Sequence, residues 1–222
     1  YGYARQDRKD QPRVPISARM ILDLMSAAGV DRMITMDLHS PQIQGFTNVP
    51  FDNLYSRIVL FNKLKDYNLN IDNGVVLAPD VGSAKMSQSY AKKLGIGFAL
   101  IDKRRPKHNV AEVVNLIGEL NNRHVFIIDD MIDTAGTICN AAKTAIDNGA
   151  KSVVAVATHA VLSGPAVSRL KEAPIDKIIV SDTINIDKDK LFDKLEVISV
   201  AEVFSEAILR INQGDSISEL FK

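Results

Sequence analysis

Residues 124–144, HVFIIDDMIDTAGTICNAAKT, restrict the fold more than any other stretch of the chain. Val125–Ile128 is an apolar run of mostly β-branched residues, suited to a strand buried on both faces. Asp129 and Asp130 follow, and are expected at that strand's carboxyl end. A short loop then carries Asp133, Thr134, Ala135, Gly136 and Thr137, and beyond it Ile138, Ala141, Ala142, Ala145 and Ile146 recur at helical spacing. A strand, a Gly-containing turn and a helix start in that order make a cradle for phosphate. The free N–H groups of the helix N-terminus point at the anion, and the helix dipole favours negative charge there. Gly136 lets the backbone approach closely, and the hydroxyls of Thr134 and Thr137 can donate further bonds. Acids beside such a cradle repel phosphate, so their expected partners are sugar hydroxyls or a metal ion. In the competing reading Asp133 or Thr134 only caps the helix and the acid pair faces solvent. The paired acids, the third acid three residues on and T-x-G-T together weigh against it.

The rest of the chain repeats the alternation of strand and helix. Helices are expected at 17–28 (with Ser17 as cap and Gly29 as terminator), 55–67, 84–94, 163–172 and 201–212. Strands are expected at 33–37, 75–78, 97–101, 151–158, 177–181 and 195–199, with 113–118 as an edge strand and 41–54 as a loop. That order argues for an α/β fold with a doubly wound, mostly parallel sheet. Residues 50–190 are expected to form a five-stranded core of this kind, with 1–49 part of a second, similar domain and 191–222 packing back on it. The chain starts at Tyr1 without Met inside a polar segment, and the expectation is a chain missing upstream sequence. Lys plus Arg equals Asp plus Glu at 27 each, so no global field points to nucleic acid or a membrane surface. The lone Cys139 excludes an internal disulfide framework and is compatible with a reducing cytoplasm. No apolar run has the length of a membrane-spanning helix.

Three further segments carry chemistry-bearing residues. Asp37 and His39 in DLHS, and Asp80 in APDVGSA, follow expected strands, where open α/β sheets bind ligands. A lone His is more often a surface residue than a ligand, and its place beside an acid at a strand end brings the two readings level. The turn at 80–84 could hold a second phosphate, a hydrated Mg²⁺, or nothing beyond a capped helix. Residues 102–108, DKRRPKH, are the most basic stretch, and cations over the sheet edge can neutralise a transferring phosphoryl group. A solvated basic loop is the plainer account. Residues 1–16 read as a mobile, charged surface loop, with a polyphosphate clamp as the functional alternative.

YARQDRKD, TMDLHSPQIQGF, APDVGSAK, IDKRR and IIDDMIDTAGT occur in that order across the chain. The last resembles the phosphoribosyl-diphosphate-binding motif of type I phosphoribosyltransferases and ribose-phosphate diphosphokinases, and the whole set resembles the latter family. The resemblance implies a phosphoribosyltransferase-like sheet and Mg²⁺-dependent transfer of a diphosphoryl group from ATP to O1 of ribose 5-phosphate. It implies that Arg5 and Gln6 bind ATP, that His39 and Asp80 accompany the metal, and that Lys103 is the catalytic cation. Arg105, Asp129 and the run Asp133, Thr134, Ala135, Gly136 and Thr137 would hold ribose 5-phosphate. A cytoplasmic homo-oligomer, a hexamer built from dimers, is implied as well, without nucleic-acid or membrane partners. Pro41 departs from the Ser frequent in the family, which leaves regulation by phosphate open. The competing classes are a type I phosphoribosyltransferase, in which YARQDRKD and DLHS are not expected, and a non-catalytic synthetase-associated subunit, in which the basic or ribose loops would be altered.

Overall fold

The computed structural model describes residues 1–104 and 113–221 of the chain. They divide into two compact units, residues 1–56 and 57–222. In the first unit α1 (Ser17–Ala27) precedes β1 (Met33–Met36), which pairs in parallel with β2 (Phe51–Leu54). The chain between these strands makes a 3₁₀ turn at Pro41–Phe46 whose Ile43 is buried with Ala4, Ala18, Leu22, Met33 and Leu38. β2 lies in the stretch expected to be loop. Its sequence FDNL has no alternation, and it is a strand because Met33 to Met36 supply a parallel partner for Phe51 to Leu54. Ser17 begins α1 but makes no capping bond: Ile16 occupies the N-cap position and no side chain caps the helix. Gly29 follows α1 at φ +95°, and its N–H bonds the Ser26 carbonyl, a left-handed stop open to glycine.

The second unit is one sheet flanked by helices. Its strands are β3 (Gly74–Ala78), β4 (Gly97–Arg104), β5 (Val113–Ile117), β6 (His124–Ile132), β7 (Ser152–Ala160), β8 (Lys177–Ser181) and β9 (Leu195–Ile198). They run β5-β4-β3-β6-β7-β8-β9, all parallel except for β5, which is antiparallel to β4. The sheet is therefore seven strands wide rather than five. The two strands beyond five are the outer ones: β5, the edge strand expected at 113–118, and β9, which takes residues 195–198 of the segment expected on the first domain into this sheet.

Central strands with both faces covered read as continuous apolar runs, and here every residue of β3 and Val153–Ala160 of β7 are buried. The two faces part cleanly along β6. Val125 and Ile127 pack with α4 (Gly136–Asp147) and α5 (Ala166–Glu172), while Phe126 and Ile128 pack with α2 (Arg57–Lys65) and α3 (Ala84–Leu94). Phe126 and Ile127 are both essentially inaccessible, and burying such a side chain contributes about 1.5–3 kcal/mol. An acid at 127 would forfeit that and strand a charge between sheet and helix. α4 buries Ile138, Ala141, Ala142 and Ala145 at the expected spacing, whereas Ile146 is exposed. α6 (Ala201–Gln213) is the last α-helix among the described residues, and no helix among them is long and apolar enough to cross a membrane.

The strand order sets the position of the site. From β3 the chain crosses through α3 to β4 on one side, and from β6 through α4 to β7 on the other. The carboxyl ends of β3 and β6 thus flank a topological switch point, the crevice where open α/β sheets take their ligands.

Candidate active site at the switch point

β6 is longer than its apolar run. It pairs with β3 only as far as Ile127, then continues along β7 to Ile132 opposite Ala160. Asp129 and Asp130 lie within the strand, not after it, because β7 keeps extending the ladder beside them. On the β3 side that part of β6 has no strand partner, so the acids border the crevice. Burial, then Asp130, then Asp80, raise the Asp129 carboxyl to about 8, although Asp129 Oδ1 accepts the Asp130 N–H at 3.0 Å.

The turn between β6 and α4 is held from outside. Leu162 N–H bonds the Ile132 carbonyl and Ser163 N–H the Asp133 carbonyl, each at 3.0 Å. Ser163 Oγ donates to Asp133 Oδ1, and Arg169 Nη1 donates to the Thr134 carbonyl at 3.0 Å. Ala135 sits at the N-cap of α4 in the left-handed region, φ +63°, and no side chain caps the helix. A left-handed alanine costs roughly 1–2 kcal/mol, so the surrounding bonds hold a strained turn. The strain is on Ala135, not on Gly136. A Cβ at Gly136 would meet Arg169 Nη1 at 3.7 Å and Thr134 Oγ1 at 4.0 Å, ordinary contacts, and its φ is not positive. The glycine leaves space above the first amides of α4, with the exposed Thr134 and Thr137 beside it. Those amides have no intrahelical acceptor, and with the dipole they suit an anion.

At the end of β3, Asp80 folds onto its own turn. Its Oδ1 accepts the Ser83 N–H at 3.0 Å and the Ser83 hydroxyl at 3.3 Å. No protein donor is directed at its Oδ2 among the described residues. Mg²⁺ takes one or two carboxylates and completes its shell with water and substrate phosphate, so a single hard oxygen at the crevice fits it. A closed protein cage is not present: among the described residues no three His, Cys, Asp or Glu are grouped to hold a metal.

Lys103 belongs to β4, three residues past Leu100, where the pairing with β3 ends, and its Cα partner is Val114 of β5. Arg105 and the rest of the basic stretch to His108 lie outside the described residues. Arg5, Gln6 and His39 belong to the first unit and are exposed there. The segment around Arg5 is tied down at several points rather than left loose. Tyr1 Oη donates to the Ala18 carbonyl at 2.8 Å, Ala4 is buried, and Ala18 N–H bonds the Gln6 carbonyl at 3.2 Å. Asp7 Oδ2 accepts Ser40 Oγ at 2.7 Å and Gln42 Nε2 at 2.9 Å, and the Ser40 bond above all holds its carboxyl below the usual range. That contact joins the Arg5–Gln6 segment to the one bearing His39. Asp37 has φ +43°, and its carboxylate accepts the Ser56 N–H at 3.1 Å, a bond that shapes the exit from β2. Ser163 and Arg169 escaped the sequence reading. The available signal was their position just after β7, the strand beside β6.

Two family models match the chain, the N-terminal domain of ribose phosphate pyrophosphokinase over residues 1–29 and the phosphoribosyl synthetase-associated domain over residues 103–222. The ribose-phosphate pyrophosphokinase of Chlorobaculum tepidum is 50% identical over 221 residues, all of this chain and 68% of that protein. That of Caldanaerobacter subterraneus subsp. tengcongensis is 51% identical over 221 residues, covering 100% of this chain and 70% of the other. The crystal structure of phosphoribosylpyrophosphate synthetase from Mycobacterium smegmatis superposes with a TM-score of 0.89 at 37% identity, covering 96% of this chain and 70% of that one. Fold and site define an α/β protein in which an uncapped helix start lies at the switch point of a mostly parallel sheet, the sheet shared with that synthetase. The chain belongs to the ribose-phosphate pyrophosphokinase family.

Proposed function

We propose that this chain transfers the diphosphoryl group of ATP to O1 of ribose 5-phosphate, giving phosphoribosyl diphosphate and AMP. The observation that carries the reading is the uncapped start of α4 behind a strained Ala135, with acids bordering the same crevice. The 5-phosphate takes the amides and hydroxyls from Thr134 to Thr137, and Asp133 acts by holding the turn through Ser163. Asp129 and Asp130 orient the ribose hydroxyls. Acids near a phosphate are tolerable because the anion sits at the turn and the acids face the ring.

In-line attack on the β-phosphorus crowds several negative oxygens together, so positioning and charge neutralisation carry the catalysis. Lys103 supplies the catalytic cation and Arg105 a contact to the substrates. Arg5 and Gln6 bind ATP, with His39 and Asp80 assigned to the Mg²⁺ that accompanies it. When bound, Mg²⁺ neutralises charge on the phosphate oxygens. Asp80 Oδ2, at which no donor is directed among the described residues, supports that role. A homo-oligomer, a hexamer of dimers, is assigned on family grounds. The exposed Met20, Leu24 and Met25 of α1 support burial against another copy. The reducing cytoplasm is the assigned compartment, in keeping with the free Cys139.

The test is AMP release from ATP, measured by chromatography with and without ribose 5-phosphate and Mg²⁺. Turnover is expected only with both. Lys103→Ala should lower kcat by about 10³-fold or more with the fold intact by circular dichroism, as loss of a transition-state cation does. Ribose-independent release, or normal turnover by that variant, would remove the reading.

A further inference from the structure

The segment after β7 is more than a connection to α5, because three of its residues reach the turn that precedes α4. Leu162 and Ser163 bond the carbonyls of Ile132 and Asp133, and Ser163 Oγ takes the Asp133 carboxylate. Arg169, on the second turn of α5, spans a gap of 35 residues to donate Nη1 to the Thr134 carbonyl. The same nitrogen lies 3.7 Å from where a Cβ on Gly136 would be, beside the open amides of α4. Among the described residues no carboxylate pairs with Arg169. A guanidinium has five N–H donors in a fixed fork, and one of them accounts for the Thr134 bond.

We infer that Arg169 is a positioning residue for ribose 5-phosphate: it fixes the strained Thr134–Ala135 peptide and adds positive charge beside the phosphate turn. The inference rests on the substrate reading given above. The arginine acts through the turn, so its effect falls on the sugar phosphate and not on ATP. The left-handed alanine makes the bond necessary. Without a donor at its carbonyl, the peptide before Ala135 can relax and withdraw the amides from a common point. Lysine can donate to the carbonyl but lacks the planar fork, so it should restore only part of the effect.

The experiment compares Arg169→Ala and Arg169→Lys with the unaltered protein in steady-state kinetics, and follows amide hydrogen exchange across residues 134–138 without substrate. A charge-assisted bond of this kind is worth about tenfold or more. Arg169→Ala is expected to raise KM for ribose 5-phosphate by that factor, with KM for ATP unchanged and exchange at the turn accelerated. Arg169→Lys should fall between. Unchanged exchange and unchanged KM in the alanine variant would overturn the inference. So would an equal loss in both KM values and kcat accompanied by a lower Tm, which marks a purely structural residue. Faster exchange in a protein that shows no ribose 5-phosphate dependence at all would sustain the brace and sink the substrate reading instead.

Discussion

The turns after β3 and β6 are built from the same parts in the same order, strand, acid, small residues and helix, yet their acids are bonded in opposite ways. After β3 the acid folds back on its own turn, so Asp80 accepts the N–H and hydroxyl of Ser83 and places a negative charge at the start of α3. After β6 the acid is drawn away: Asp133 is taken by Ser163, 30 residues further on, and Arg169 comes in beside Gly136. One turn is closed by local bonds and suits a cation. The other is braced from a neighbouring strand end and suits an anion. What distinguishes them is which partner claims the carboxylate, and that partner is remote in the chain.

The sharpest way to break this contrast is to fill the open turn. Gly136→Val adds a Cβ that meets only ordinary contacts and two methyl groups beyond it, at a position with no positive φ, so Tm should move little. The space above the α4 amides is lost, and displacing a bound group by an ångström costs about 100-fold, which is the expected rise in KM for ribose 5-phosphate. The matching change at the closed turn, Gly82→Ala, puts a Cβ 3.1 Å from Asp80 Oδ1 and should shift the Mg²⁺ requirement while leaving ribose 5-phosphate binding alone. If Gly136→Val bound the sugar phosphate normally, the two turns would not differ in the way described.

A second test uses the acid that lies between the turns. Burial and the neighbouring Asp130 and Asp80 raise Asp129 to about 8 from an ordinary 3.8. The folded protein therefore holds a proton there that the unfolded chain has released, over the window from about pH 4 to about pH 8. The stabilisation from this group is complete below the lower value and disappears as pH rises through the upper one. Metal-free protein should thus lose stability to denaturant between pH 5 and pH 8, and Asp129→Asn should flatten that slope. Asp80→Asn, which keeps an acceptor for Ser83 but removes a charge, should reduce it. A slope unaffected by either substitution would show that these carboxylates do not sense one another.

The contrast also separates what the chain's letters disclose from what they do not. Most of the helix and strand order, the burial of Val125–Ile128 and the apolar spacing on α4 were legible, because each depends on local periodicity. β2 was not, because FDNL becomes a strand only through its pairing with β1. The limits of β6 were misread for a related reason: acids normally end an apolar run, but here β7 continues to pair beside them. Gly136 drew attention as the special backbone position, whereas the left-handed residue is Ala135. Nothing in T-A-G-T says which of two small residues carries the positive φ. Ser163 and Arg169 were invisible as site residues because their partners are 30 and 35 residues away.

The smallest expected effect tests whether the closed turn is as local as its bonds suggest. Ser83→Ala removes the hydroxyl bonds to the Asp80 carbonyl and carboxylate but keeps the Ser83 N–H on Oδ1. Ser83 is buried, so its hydroxyl leaves no exposed group behind and the methyl replacing it needs no partner. Losing a bond of this kind at a helix start costs about 1 kcal/mol, which for a unit of this size is roughly 2–4 °C in Tm. No bond of Ser83 reaches the turn after β6, so KM for ribose 5-phosphate should stay as it was. Ser163→Ala deletes a single hydroxyl too, yet it removes a donor to the Asp133 carboxylate in the turn that precedes α4. Its effect should therefore appear in ribose 5-phosphate affinity rather than in Tm. Thermal scans and steady-state kinetics on the two serine variants would expose the difference, and a shared profile would mean the two turns are braced alike.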